Sequence, residues 1–136
     1  MKNRSELREI AMKSLYQIFV LKTTNLEYNI DEIIHEQLEV ENDFVNSVVN
    51  GVIDNFDEIT MLANKYLVDW KLDRLNLVDQ SILCMGIYEL KFTDTPSVVA
   101  INEAVELSKK YSDEAVTKMI NGVLDNIYHS EECHEW

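Results

Sequence analysis

The side chains best suited to chemistry cluster at the N-terminal end: Lys2, Arg4, Arg8 and Lys13, with Tyr16 close behind. Cations neutralise phosphates, and an aromatic ring offers a face on which an unstacked base can lie, so this combination suits single-stranded nucleic acid. Helical spacing decides how the groups are arranged. Leu7, Ile10, Ala11, Ser14, Leu15 and Ile18 form one apolar stripe. Arg4 and Arg8 lie on one flank of it, and Lys2 and Lys13 project from the other side. The result is a basic end, not a basic face. Tyr16 falls away from the stripe's centre, a position equally compatible with an available ring and with a half-buried packing residue.

Charge sets this end apart from the rest. Residues 1–22 carry a balance of +3, whereas the whole chain carries −13, so the remainder holds −16. A stand-alone nucleic-acid binder is expected to be basic. The asymmetry instead suggests an end that meets phosphate on a body that suits a basic protein. Solubility alone is another sufficient reason for an acidic surface.

Catalysis finds little support. The chain has no glycine-rich phosphate loop, no nucleophile elbow, and no histidine placed near a serine or cysteine in a recognisable motif. His35 has no second ligand at metal spacing. His129, Cys133 and His134 could chelate, but structural zinc draws four ligands from an ordered frame, so no metal or cofactor is expected. Cys84 sits in an apolar run and Cys133 in the tail, which argues against a disulfide framework. No apolar run is long enough for a membrane span and no signal peptide is evident, so the chain reads as cytoplasmic.

The elements that must position these groups are helices. At 136 residues with 46% hydrophobic content, three glycines and one proline, the chain reads as a single all-α domain of about seven helices. Asn3 with Glu6, Asn29 with Glu32, and Asn55 with Glu58 are predicted helix starts of the capping-box kind. Asn76 caps a further helix, with Asp79 in its first turn. That helix, Val78 to Leu90, is apolar around most of its circumference and is expected at the centre, with Asp79, Gln80, Tyr88 and Glu89 exposed. Residues 54–57 are the expected seam between two helical subdomains, and residues 129–136 a flexible tail. Val98 to Tyr128 reads as two further helices, with Glu106 and Lys110 as an i,i+4 pair and Gly122 marking a close helix crossing.

Three motifs in order carry a resemblance over nearly the whole chain. LREIAMKSLYQ (Leu7 to Gln17), RLNLVDQSILCMGIYEL (Arg74 to Leu90), and INEAVELSKKY followed by INGVLDNI resemble the first helix, central helix and C-terminal signature of the NusB family of transcription antitermination factors. The resemblance implies a partner, the small-subunit ribosomal protein that doubles as NusE. It implies binding to box A single-stranded RNA of nascent transcripts, notably ribosomal RNA, within the transcription elongation complex. It also implies RNA contacts at Lys2, Arg4, Arg8, Tyr16 and Met119, and a partner face around Asp79, Tyr88 and Glu89. Met119 stands where the family usually has phenylalanine, and Cys84 where relatives often have arginine. With the thin basic end, these departures imply weaker RNA binding by the isolated protein. The contrasting reading is an acidic helical interaction module that keeps the fold without RNA binding. A NusB-like domain also occurs in some RNA cytosine methyltransferases, but no cofactor-binding module follows here, so no enzyme is expected.

Overall fold

Five of the helix starts are fixed by a side-chain oxygen that accepts the backbone N–H three residues on. Asn3, Asn29, Asn42, Asn76 and Asp113 do this for Glu6, Glu32, Val45, Asp79 and Val116. The computed structural model describes residues 2–133 and contains, among them, seven α-helices and a 3-10 turn. These are α1 (Arg4–Thr23), α2 (Ile30–Gln37), α3 (Asp43–Asp54), α4 (Phe56–Tyr66), the turn Leu72–Arg74, α5 (Leu77–Phe92), α6 (Ser97–Tyr111) and α7 (Glu114–Ser130). The fold is all-α. None of these helices is long and apolar enough to cross a membrane.

Asn55 departs from the expected pattern. Only this residue separates α3 from α4, and its backbone closes α3 by donating to the Gly51 carbonyl. Its φ of −109° and ψ of 20° are not extended, so its amide turns back to Gly51 O at 2.8 Å and does not cap α4.

α5 is the centre. It packs against α1, α3, α4, α6 and α7, and every residue from Asp79 to Ile87 is buried. One apolar core runs from Leu15 and Ile18 of α1 through Val49 and Ile59 to Ile120 and Ile127 of α7. At the junction of α3 and α4, Phe56 packs on Phe19 with ring centroids 5.5 Å apart. At the other end, α7 continues through His129 and Ser130. Glu131 follows, accepting from Lys65 Nζ at 2.7 Å and from the Tyr66 hydroxyl at 2.5 Å.

The close helix approaches lie elsewhere than expected. Gly122 is exposed, and a Cβ placed there would have no neighbour within 4 Å. A Cβ on Gly86 would stand 2.9 Å from Leu124 Cδ1 and 3.3 Å from Ala104 Cβ. Gly86 is therefore where α5 admits α6 and α7. At Gly51 of α3 the same space is filled by the Tyr88 ring.

Candidate nucleic-acid and partner interface

The basic end of α1 divides into an outer and an inner part. Lys2, Arg4 and Lys13 are exposed, and the Arg4 guanidinium lies 4.2 Å from the centre of the Phe44 ring, an arrangement that leaves its N–H edges open. Arg8 is not available to a phosphate. Only 4% exposed, it donates to Glu89 through Nε (2.7 Å) and Nη2 (2.9 Å) and to Glu103 through Nη1 (3.0 Å). Ser5 Oγ completes Glu103 at 2.5 Å, and Thr95 Oγ1 donates to Glu89 Oε2 at 3.1 Å. Burial works against the Arg8 charge, but the two carboxylates outweigh it and hold its pKa above the ordinary arginine value. The network ties α1 to α5 and α6. Its signal in the sequence was Glu89 itself, a carboxylate inside a helix apolar nearly all round, which must find a cation if buried.

Farther along α1, Tyr16 is 39% exposed, so its ring is accessible. One turn or two before it, Glu9 gathers Lys110 at 2.7 Å, the Tyr111 hydroxyl and, more distantly, Lys13. The hydrogen bond from Lys110 leads the causes that lower the Glu9 pKa. The expected Glu106–Lys110 pair is not formed. Glu106 takes Lys109 at 3.3 Å, and Lys110 reaches across to α1.

The expected exposed acidic face on α5 does not exist. Asp79 is 3% exposed, Glu89 is 2%, and Gln80 is buried as well. Five helices surround α5, and partial exposure is left to Leu77, Val78, Tyr88, Lys91 and Phe92. Tyr88 is half-buried, stacked on Phe92 with centroids 5.8 Å apart. The Asp79 carboxylate accepts from the Ser112 hydroxyl. Desolvation, with Asp113 adding repulsion, raises its pKa above the usual aspartate value despite that bond. The folded state thus holds the proton more tightly than the unfolded chain. Asp79 costs stability above its raised pKa, and the cost is relieved as pH falls through that value. Asp79→Asn is expected to be at least as stable as the parent at pH 7, with the advantage shrinking toward pH 4 in urea titrations. Asp79→Lys should unfold at visibly lower temperature, since it buries a cation beside no carboxylate but Asp113.

Met119, half-buried on α7, lies apart from the α1 groups. It lines a cleft with Trp70, Arg74, Asn76, Asp113 and Val116. The cations of α1 and Met119 are thus held on different elements. Trp70 is 58% exposed. Burial pushes the Cys84 thiol up to about 12. Among the described residues no three His, Cys, Asp or Glu side chains converge as metal ligands, and His134 lies outside them.

The arrangement is a helical body with cations at one end, and comparison with known proteins shows what it belongs to. The model described as the NusB family matches residues 5–129. The chain belongs to the NusB family. It is 41% identical over 125 residues to transcription antitermination protein NusB of Listeria innocua, covering 91% of this chain and 94% of that protein. NusB of Bacillus subtilis is 39% identical over 127 residues, covering 91% and 93%. Among solved structures, T. maritima NusB superposes with a TM-score of 0.82 at 31% identity, covering 96% of this chain and 93% of that one. A structure of the antitermination factors NusB and NusE in complex with double-stranded RNA gives 0.81 at 27% identity, covering 94% and 97%. NusB proteins are binding factors and not enzymes.

Proposed function

We propose that this chain is a transcription antitermination factor. In this reading it pairs with the small-subunit ribosomal protein acting as NusE and holds box A-type single-stranded RNA of nascent transcripts, notably ribosomal RNA, beside the elongation complex in the cytoplasm. The observation that carries the reading is its likeness, over 94% of the chain, to NusB in a complex with NusE and double-stranded RNA. The charge distribution supports it. The −16 body suits a basic ribosomal protein, and the partner in turn offsets the field that repels RNA from the isolated chain.

Exposure supports some of these residues more than others in this reading. Lys2 and Arg4 are the exposed cations of the α1 end, and Tyr16 is the accessible ring. Arg8 and Glu89 serve the internal network. In this reading the partner meets exposed acidic surface, since Asp79 and Glu89 are buried while Tyr88 keeps part of its ring exposed.

Fluorescence anisotropy of labelled RNA, with the ribosomal partner bound, tests the reading. Lys2→Ala combined with Arg4→Ala should lower the slope of log K against log salt by about 1.4, at roughly 0.7 per phosphate contact. Tyr16→Ala should cost about 1–3 kcal/mol of binding with the slope unchanged. Equal affinity for box A-like and scrambled strands would sink the proposal and leave an acidic interaction module without sequence-directed RNA binding.

A further inference from the structure

Most cations of the acidic body are already engaged. Of the seven basic side chains beyond residue 22, Lys65 pairs with Glu131, Lys109 with Glu106, Lys110 with Glu9 and Lys118 with Glu114, while Lys91 donates to the Glu132 carbonyl. Lys71 and Arg74 are the two whose side chains find no such partner among the described residues, and both are exposed. They bracket Trp70, the exposed indole in the connector between α4 and α5.

This connector is held firmly. Asp69 turns the chain with a φ of 68°, Leu72 is buried, and the Leu72 N–H donates to Asn64 Oδ1 at 2.7 Å. The Arg74 N–H donates to the Lys71 carbonyl at 3.0 Å, closing the 3-10 turn. An indole this exposed on so fixed a backbone leaves a large apolar face in water, at a cost that a stacking ligand would relieve. Trp70 and Arg74 form the wall shared by two clefts, one lined by Asn64, Asp69 and Lys71, the other by Asn76, Asp79, Asp113, Val116 and Met119.

We propose that Trp70 is a base-stacking platform for single-stranded RNA, with Lys71 and Arg74 holding the flanking phosphates. The inference rests on the RNA-binding reading above and adds to it a second contact, carried by the α4–α5 connector beside Met119 and separate from α1. An aromatic face with two unpaired cations matches the two surfaces every nucleotide offers, a π-face and a phosphate. Asp69 and Asp73 offset Lys71 and Arg74, and Asp113 adds an exposed carboxylate across the cleft, so the site draws RNA by short-range contact and stacking and not by a long-range field. A basic protein segment would leave Lys71 and Arg74 facing like charge.

The test uses the full chain bound to its ribosomal partner. The sequence holds two tryptophans, so Trp136→Phe leaves Trp70 as the single indole of this chain. Emission is read as the difference from the same protein carrying Trp70→Phe, and binding independently by anisotropy of labelled RNA. A 12-nucleotide unstructured RNA and a duplex of equal length are the probes. Stacking should quench the Trp70 emission with the single strand and much less with the duplex. Trp70→Ala should weaken single-strand binding about 5- to 100-fold, with Trp70→Phe retaining most of the affinity. Lys71→Ala with Arg74→Ala should lower the salt slope by about 1.4. Binding by anisotropy with unchanged Trp70 emission, and full affinity in Trp70→Ala, would overturn this contact while leaving the RNA-binding reading intact. Absence of binding to either RNA removes both. Emission that responds to the ribosomal partner and not to RNA assigns the patch to protein and overturns the proposal.

Discussion

Replacing Arg8 by methionine is expected to destabilise the fold by about 3–5 kcal/mol, the usual cost of removing one partner from a buried ion pair. Glu89 is 2% exposed, and Arg8 gives it two parallel hydrogen bonds at 2.7 and 2.9 Å. Methionine fills much of the volume of arginine, so the loss is electrostatic and not a cavity. What remains to Glu89 is the Thr95 hydroxyl at 3.1 Å, a neutral donor unable to offset a buried carboxylate. For a single domain with a total stability of about 5–15 kcal/mol, such a loss should lower Tm by roughly 10–20 °C. Glu89→Leu alone should be comparably harmful, because Arg8 would keep only Glu103 at 3.0 Å. The double variant should recover a large part of the loss, since replacing both members removes the uncompensated charge. Urea denaturation of the two single variants and the double variant checks this. Near-parental stability in Arg8→Met, with a flatter RNA salt slope, would instead return Arg8 to the phosphate-binding set.

Arg8 and Glu89 also show where the sequence is legible and where it is not. Local rules read well here: the Asn3, Asn29 and Asn76 caps, the α5 apolar wrap and the seven-helix count all follow from short-range spacing. Arg8 and Glu89 are 81 positions apart, and nothing in either local pattern says that the flanks carrying them face one another. The same limit hid the Lys110–Glu9 pair, which competes with the local Glu106 partner and wins by joining two helices. Burial of Asp79 was missed for a related reason. A carboxylate in the first turn of a helix reads as exposed unless one knows that Ser112, from the end of α6, covers it. Asn55 failed because a one-residue junction forces it to serve the preceding helix. The candidate site was therefore legible as residue types and as a basic end. The division of its cations into internal and external groups is tertiary information.

Gly86→Leu and Gly122→Ala are expected to move stability in opposite directions. Both glycines interrupt apolar helices, and each costs its helix about 1 kcal/mol against alanine. What decides the sign is the space around the missing Cβ. At Gly86, Leu124 Cδ1 would stand 2.9 Å away and Ala104 Cβ 3.3 Å away. Leu124 is fully buried and cannot swing into solvent, and Ala104 belongs to the backbone wall of α6, so neither side can yield cheaply. A leucine there must push α6 and α7 off the central helix. Overpacking costs about 1–3 kcal/mol in cores that can adjust, and this crossing of three helices belongs at or above the upper end. Gly86→Ala crowds both Leu124 methyls, at 2.9 and 3.2 Å, and Ala104 Cβ, but carries nothing beyond Cβ and should lose less than the leucine variant. At Gly122 nothing lies within 4 Å, so alanine there gains helix propensity with no steric cost, up to about 1 kcal/mol. Chemical denaturation of the three variants should therefore rank Gly122→Ala above the parent, Gly86→Ala near or below it, and Gly86→Leu far below. A Gly122→Ala variant less stable than the parent would mean that a helix crosses there after all.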